Sequence, residues 1–208
     1  MGKRWWLPFL ILCAGALVLW PYRASLTAER IAAQSPRQAG LAAAFLIALY
    51  LVKSLSVAFP LSALEAAGGM LFPFPAALAV NLCGVAAAQM VPYLLGRREQ
   101  GGLAALADRY PKLAVLKQPP SGNSGRTVFL LRLAGASPGD LVSMYLGAAG
   151  VSWREYLVGG LLGSLPRVAS ATLLGTALWE IGGPRFWLSL GVGALLTALS
   201  LALWKAWR

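Results

Sequence analysis

The chain has 208 residues, 58% hydrophobic and 12% charged, with a mean hydropathy of +0.67; soluble domains carry ~45–50% apolar and ~25% charged residues, so the composition points to a bilayer. Its net charge of +11, from 18 Lys+Arg against 7 Asp+Glu, is confined to short segments between apolar runs, as the positive-inside rule expects, and does not form the water-exposed basic face of a nucleic-acid binder. The absence of histidine excludes a Ser-His-Asp triad, a histidine base and histidine metal ligands, while Cys13 and Cys83 lie in separate apolar runs with no Cys-x-x-Cys motif and imply no disulfide.

A transmembrane helix needs ~20 largely uncharged residues. Trp5 to Tyr22 is the first such run, bounded by Lys3, Arg4 and Arg23 and edged by Trp5, Trp6, Trp20 and Tyr22 like an interfacial aromatic belt. It reads as a retained span rather than a signal sequence, because no small-x-small cleavage site follows Trp20. Gly40 to Phe59 is the second run, with Lys53 near its far end placed to snorkel toward head groups. Pro75 to Leu95 is the third, a run from about Tyr156 to Leu178 with Pro166-Arg167 in its middle is the fourth, and Phe186 to Trp204 is the fifth.

Two apolar segments are left over. Residues 60–73 open at Pro60, contain Gly68-Gly69 and end at Phe72-Pro73; residues 127–151 are interrupted by Arg132, by Gly135-Ala-Ser-Pro138-Gly139-Asp140, and by Gly147 and Gly150. Prolines and paired glycines break helices. A short, broken apolar segment with ionisable residues is the pattern of a re-entrant hairpin, tolerated at membrane depth where protein or a wet cavity satisfies its backbone; interfacial loops are the alternative. Aligning Pro60 with Pro138 places Gly69 on Gly147. One crossing lies between the segments, so two hairpins would enter from opposite faces as an inverted repeat.

The expected architecture is therefore an all-α integral membrane protein of about five transmembrane helices plus two re-entrant helical hairpins. Residues 1–39 form the first span and a basic linker, 40–180 the core, and 181–208 the last span. Residues 97–126 carry Arg97, Arg98, Arg109, Lys112, Lys117 and Arg126 against Glu99 and Asp108, which places this loop and the C-terminus in the cytoplasm. Within the loop, Leu103, Leu106, Tyr110, Leu113 and Leu116 suggest a broken amphipathic helix on anionic lipid. The Ala-rich, loop-poor build fits a bacterial inner membrane.

Several stretches together resemble the DedA family, also called the SNARE-associated or VTT-domain family. They are Pro60 to Phe72 with its Ala-Ala-Gly-Gly-Met-Leu-Phe core, Asn81-Leu-Cys-Gly84 through Tyr93-Leu-Leu-Gly96-Arg97, Val128-Phe-Leu-Leu-Arg132, Ser137-Pro138-Gly139-Asp140, Gly147-Ala-Ala-Gly150-Val-Ser-Trp153 with Tyr156, and Gly159-Gly-Leu-Leu-Gly163-Ser-Leu-Pro166. The pattern resembles the branch of Golgi and vacuolar membrane proteins more than DedA proper. Ala134-Gly135-Ala136 stands where the family often has a proline, the second arginine of the DedA branch has no counterpart, and Pro73 replaces an expected glycine. The resemblance implies two facing re-entrant hairpins and a link to lipid scrambling or to flipping lipid-phosphate carriers.

An ionisable residue at membrane depth costs on the order of 3 kcal/mol and marks a candidate site whose partner must be named. Glu65, Arg132, Asp140 and Arg167 are the candidates. Arginine offers planar donors suited to phosphate oxygens, so Arg132 and Arg167 are expected to contact anionic lipid head groups, with Glu65 and Asp140 holding them in the absence of lipid. The structural alternative is that all four only close the hairpins as ion pairs. Asn81 and Gln89 read as helix–helix hydrogen-bond partners, and Gly159 with Gly163 as a small-x3-small packing pair compatible with a homodimer.

The functional expectation is a lipid transporter of scramblase or flippase type with membrane lipids as partners and no cofactor. A proton- or ion-coupled solute carrier and a non-transporting scaffold are the alternatives. No nucleophile–base spacing suggests an enzyme.

Overall fold

The computed structural model describes residues 14, 27–54, 60–98, 124–134, 139–178 and 182–206. These form eight helices and no strand: α1 (Ala28–Ala33), α2 (Ala39–Ser54), α3 (Leu61–Leu71), α4 (Phe74–Arg98), α5 (Ser124–Ala134), α6 (Gly139–Ala148), α7 (Trp153–Ala177) and α8 (Pro184–Ala206). The run Trp5 to Tyr22, the amphipathic stretch of the basic loop and Pro138 lie outside the described residues. The runs expected from residues 40, 75, 156 and 186 correspond to α2, α4, α7 and α8. Of these, α4 and α7, each of 25 residues, are long and apolar enough to cross a bilayer, while α2 is a shorter apolar helix of 16 residues.

Helix boundaries follow local chemistry. Leu71 ends α3 because Pro73 forces the preceding Phe72 into extended backbone (φ −133°, ψ 154°). Ser152 caps α7, its side chain accepting from the Glu155 N–H while its hydroxyl donates to the Glu155 carboxylate at 2.7 Å, so a backbone donor of the first turn is satisfied. At the end of α6, Gly150 adopts φ +80°, and the N–H groups of Gly150 and Val151 donate to the carbonyls of Gly147 and Leu146. This is a Schellman closure, which places Gly150 where a left-handed residue is required.

The glycines expected to break the short segments do not break them. Gly68 and Gly69 lie within continuous α3, and Gly147 within α6. Their role is close approach. A Cβ on Gly69 would strike the Thr172 carbonyl in α7, and one on Gly147 would strike the Tyr93 carbonyl in α4. The reciprocal glycines Gly175 of α7 and Gly96 of α4 meet the backbones of Ala66 and Met144. Each short helix thus crosses the long helix of the other half of the chain, α3 on α7 and α6 on α4.

The long helices run antiparallel, since Asn81 meets Thr172, Gln89 meets Ser164, and Tyr93 stacks on Tyr156 with ring centroids 4.3 Å apart. Helices α5 and α7 run the same way, Gly125 lying against Gly159 and Phe129 against Gly163. The pair Gly159 and Gly163 is therefore used for packing within the chain. Two apolar clusters fill the interior. One gathers Leu46, Tyr50, Leu64, Ala67, Val85 and Val168; the other gathers Tyr93, Val128, Leu146, Val151 and Tyr156.

Candidate functional site

The last turn of α2 carries Tyr50 and Lys53, and the middle of α3 carries Glu65. Glu65 is fully buried. Both of its carboxylate oxygens accept from Nη1 of Arg167, at 2.7 and 2.8 Å, across a sequence separation of 102 residues. Arg167, one residue past Pro166 inside α7, leaves 45% of its side chain exposed, and its Nη2 makes no hydrogen bond among the described residues. The sequence assigned Glu65 and Asp140 together to hold Arg132 and Arg167; in the structure the acid on Arg167 is Glu65.

Asp140 departs from expectation. It lies in the first turn of α6, but its partner is Lys53: Nζ and Oδ2 are 2.6 Å apart, with side chains only 10% and 8% exposed. Lys53, read in the sequence as snorkelling to the head groups, is instead buried, because α6 brings a carboxylate within reach of the end of α2. The ammonium also acts electrostatically on the Glu65 carboxylate.

Arg132, near the end of α5, folds back over the start of α6. Its Nη1 donates to the Gly139 carbonyl at 3.2 Å, and its Nη2 donates to Ser143 Oγ at 2.6 Å and to the Tyr156 hydroxyl at 3.0 Å. Gly139 is needed here, since a Cβ would lie 2.7 Å from Nη1. The Tyr156 hydroxyl lies 2.7 Å from Ser143 Oγ and 3.0 Å from the Gln89 carbonyl. It feels the charges of both Arg132 and Asp140. The buried Nε of Arg132 has no partner among the described residues. Neither Tyr156 nor Ser143 was marked as a site residue by the sequence, because a phenol and a hydroxyl in apolar runs read as packing.

The ion pairs Arg167–Glu65 and Lys53–Asp140, with Arg132 on the Gly139 carbonyl beside Asp140, set the ionisable groups in a string of alternating sign. Three cations against two carboxylates leave one positive charge in excess. Asn81 braces the string from α4, donating to the Glu65 carbonyl (2.8 Å) and to Thr172 Oγ1 (2.9 Å) and accepting from the Tyr50 hydroxyl (3.1 Å). Gln89 donates to Ser164 at 3.3 Å, while its buried Oε1 has no partner among the described residues. Both amides bridge helices, as expected. No group of three or more metal-ligating side chains occurs among the described residues.

Two apolar helices long enough to span a bilayer, with charged side chains from five separate helices gathered between them, fit a membrane protein with a polar interior. The VTT domain model matches residues 59–177, more than half of the chain, and the chain belongs to the VTT domain family. No curated protein and no solved structure matches it.

Proposed function

We propose that this protein moves lipids between leaflets, as a scramblase or flippase, with the phosphate of the head group stepping along the arginines of the charge string. One observation carries the reading: Arg167, anchored through Nη1 by a buried carboxylate, keeps about half of its side chain open, with Nη2 making no hydrogen bond among the described residues. Such a group offers an anion charge-assisted donors at membrane depth. The excess positive charge supports the same reading, since an arriving phosphate neutralises it.

The helix directions support two re-entrant hairpins related as an inverted repeat. Helix α5 has 11 residues, and the parallel course of α5 and α7 means that α6 returns the chain to the face from which α5 entered. In the first half, α3 corresponds to α6, each starting after a proline and each crossing the opposite long helix. Facing broken elements of this kind are where transporters build midplane sites. Coupling to protons is the second reading, favoured by the complete burial of Glu65 inside a polar string.

The test is reconstitution in liposomes with a labelled phospholipid or polyprenyl phosphate. The expected outcome is exchange between leaflets that Arg132→Ala abolishes at normal expression and folding. Normal exchange by that variant removes Arg132 from the path. Movement that follows an imposed pH gradient and fails in Glu65→Gln favours the coupled reading.

A further inference from the structure

We propose that an ordered water molecule sits over Gly160 of α7 and joins Arg132 Nε to Gln89 Oε1. These are a buried side-chain donor and a buried acceptor that find no partner among the described residues, so neither bonds to the other. Buried polar groups are almost always satisfied, by protein or by water.

Contacts with α7 bring the two atoms to the same place. The Arg132 side chain starts beside Gly163, whose Cβ would lie 2.8 Å from Arg132 Cβ, and ends at the Tyr156 hydroxyl, 3.0 Å from Nη2. Tyr156, Gly160 and Gly163 follow one another at steps of four and three in the sequence, so they share one face of α7. The side chain therefore lies along that face and carries Nε past Gly160. Gln89 reaches the same face from α4. Its Nε2 donates to Ser164 Oγ at 3.3 Å, while a Cβ on Gly160 would stand 2.6 Å from Oε1.

The same Cβ position shows what the space accepts. Outside α7, the next atoms around it are Gln89 Cδ at 3.7 Å and Val128 Cγ1 at 4.0 Å, so the missing side chain leaves room for a small molecule. Nε–H needs an acceptor and Oε1 needs a donor. Chloride would suit the guanidinium but face the amide oxygen, and a metal cation would suit the oxygen but face the guanidinium. Water serves both, and two fixed polar partners are enough to hold it. Every guanidinium nitrogen of Arg132 is then engaged, the third one through solvent. The site hydrates a cation in the interior of the protein whether or not the chain moves lipid.

NMR of the full chain in detergent micelles, labelled at the arginine nitrogens, tests the site. The Arg132 Nε–H, identified by its loss in Arg132→Lys, should show direct cross-relaxation with water. Gly160→Ala puts a methyl group into the space, where it meets the far end of a flexible side chain rather than backbone, and Gln89→Leu removes the acceptor. Each should abolish the water peak and leave the Nε–H resonance in place, with the other arginine signals unmoved as the check on folding; either variant alone decides. The Tyr156 and Ser143 hydroxyls that meet Arg132 remain in both variants, so a peak relayed through them would persist and overturn the proposal. A wild type without the peak overturns it too, as does a scalar coupling between the Nε–H and the Gln89 side-chain carbonyl carbon, the mark of a direct hydrogen bond. Because no step reads transport, failure here and failure of the transport reading are separate results.

Discussion

Arg167 gives one nitrogen to both oxygens of a fully buried carboxylate, whereas Arg132 is held by a carbonyl, a serine and a tyrosine, with no acid among its hydrogen-bond partners in the described residues. At the first arginine, charge is balanced while a donor stays open. At the second, both terminal nitrogens are engaged while charge stays unbalanced. Hydrogen bonding and charge compensation are therefore separable in this interior, although a buried cation normally needs both.

The comparison breaks most visibly at Arg167. Replacing it with Ala leaves Glu65 buried without its counter-ion, so a loss of about 3–5 kcal/mol is expected in detergent unfolding. Adding Glu65→Gln should recover most of that loss, and a double variant as unstable as the single one would show that the charge balance is not what matters. Lys53→Met strands Asp140 in the same way. Water has slightly better access there, so the expected loss is about 3 kcal/mol, again relieved by adding Asp140→Asn.

Packing contributes less. Gly147→Ala drives a Cβ into the Tyr93 carbonyl and to 3.0 Å from the Arg97 nitrogen, backbone atoms that cannot swing away, at a cost of about 1–3 kcal/mol in unfolding free energy. Gly40→Ala, which meets nothing within 4 Å, should be neutral or slightly stabilising by the same measurement. A loss smaller than that of Gly147→Ala is expected at the hydroxyls around Arg132. Tyr156→Phe keeps the stack on Tyr93 but removes a hydroxyl that Arg132, Ser143 and the Gln89 carbonyl all meet, and about 1 kcal/mol should be lost. A loss as large as that of Arg167→Ala would make the tyrosine, rather than ion pairing, the organiser of the string.

The long helices were legible because apolar run length is a local property: α4 (Phe74–Arg98) and α7 (Trp153–Ala177) follow the runs from Pro75 and Tyr156. That Glu65 needed a partner was legible too, since a carboxylate in an apolar run requires one. The identity of the other partnership was not. Asp140 joins Lys53 across 87 residues, and nothing near Lys53 distinguishes a lysine that reaches lipid head groups from one that reaches an acid on a distant helix. Gly68-Gly69 misled for a related reason. A glycine lowers helix propensity locally, but tertiary contact decides, and here the missing Cβ is what lets α3 lie against α7.

The exchange of short helices between halves bears on how the chain is made. Glu65 leaves the ribosome 102 residues before Arg167, and the surface of α7 that receives Gly69 is synthesised later still, at Thr172 and Gly175. A nascent chain ending after α4 holds Glu65 without Arg167, its ion-pair partner, Lys53 without Asp140, and α3 without the α7 surface on which it packs. The first half is completed only when translation of the second half supplies these partners and the groove that closes over α3.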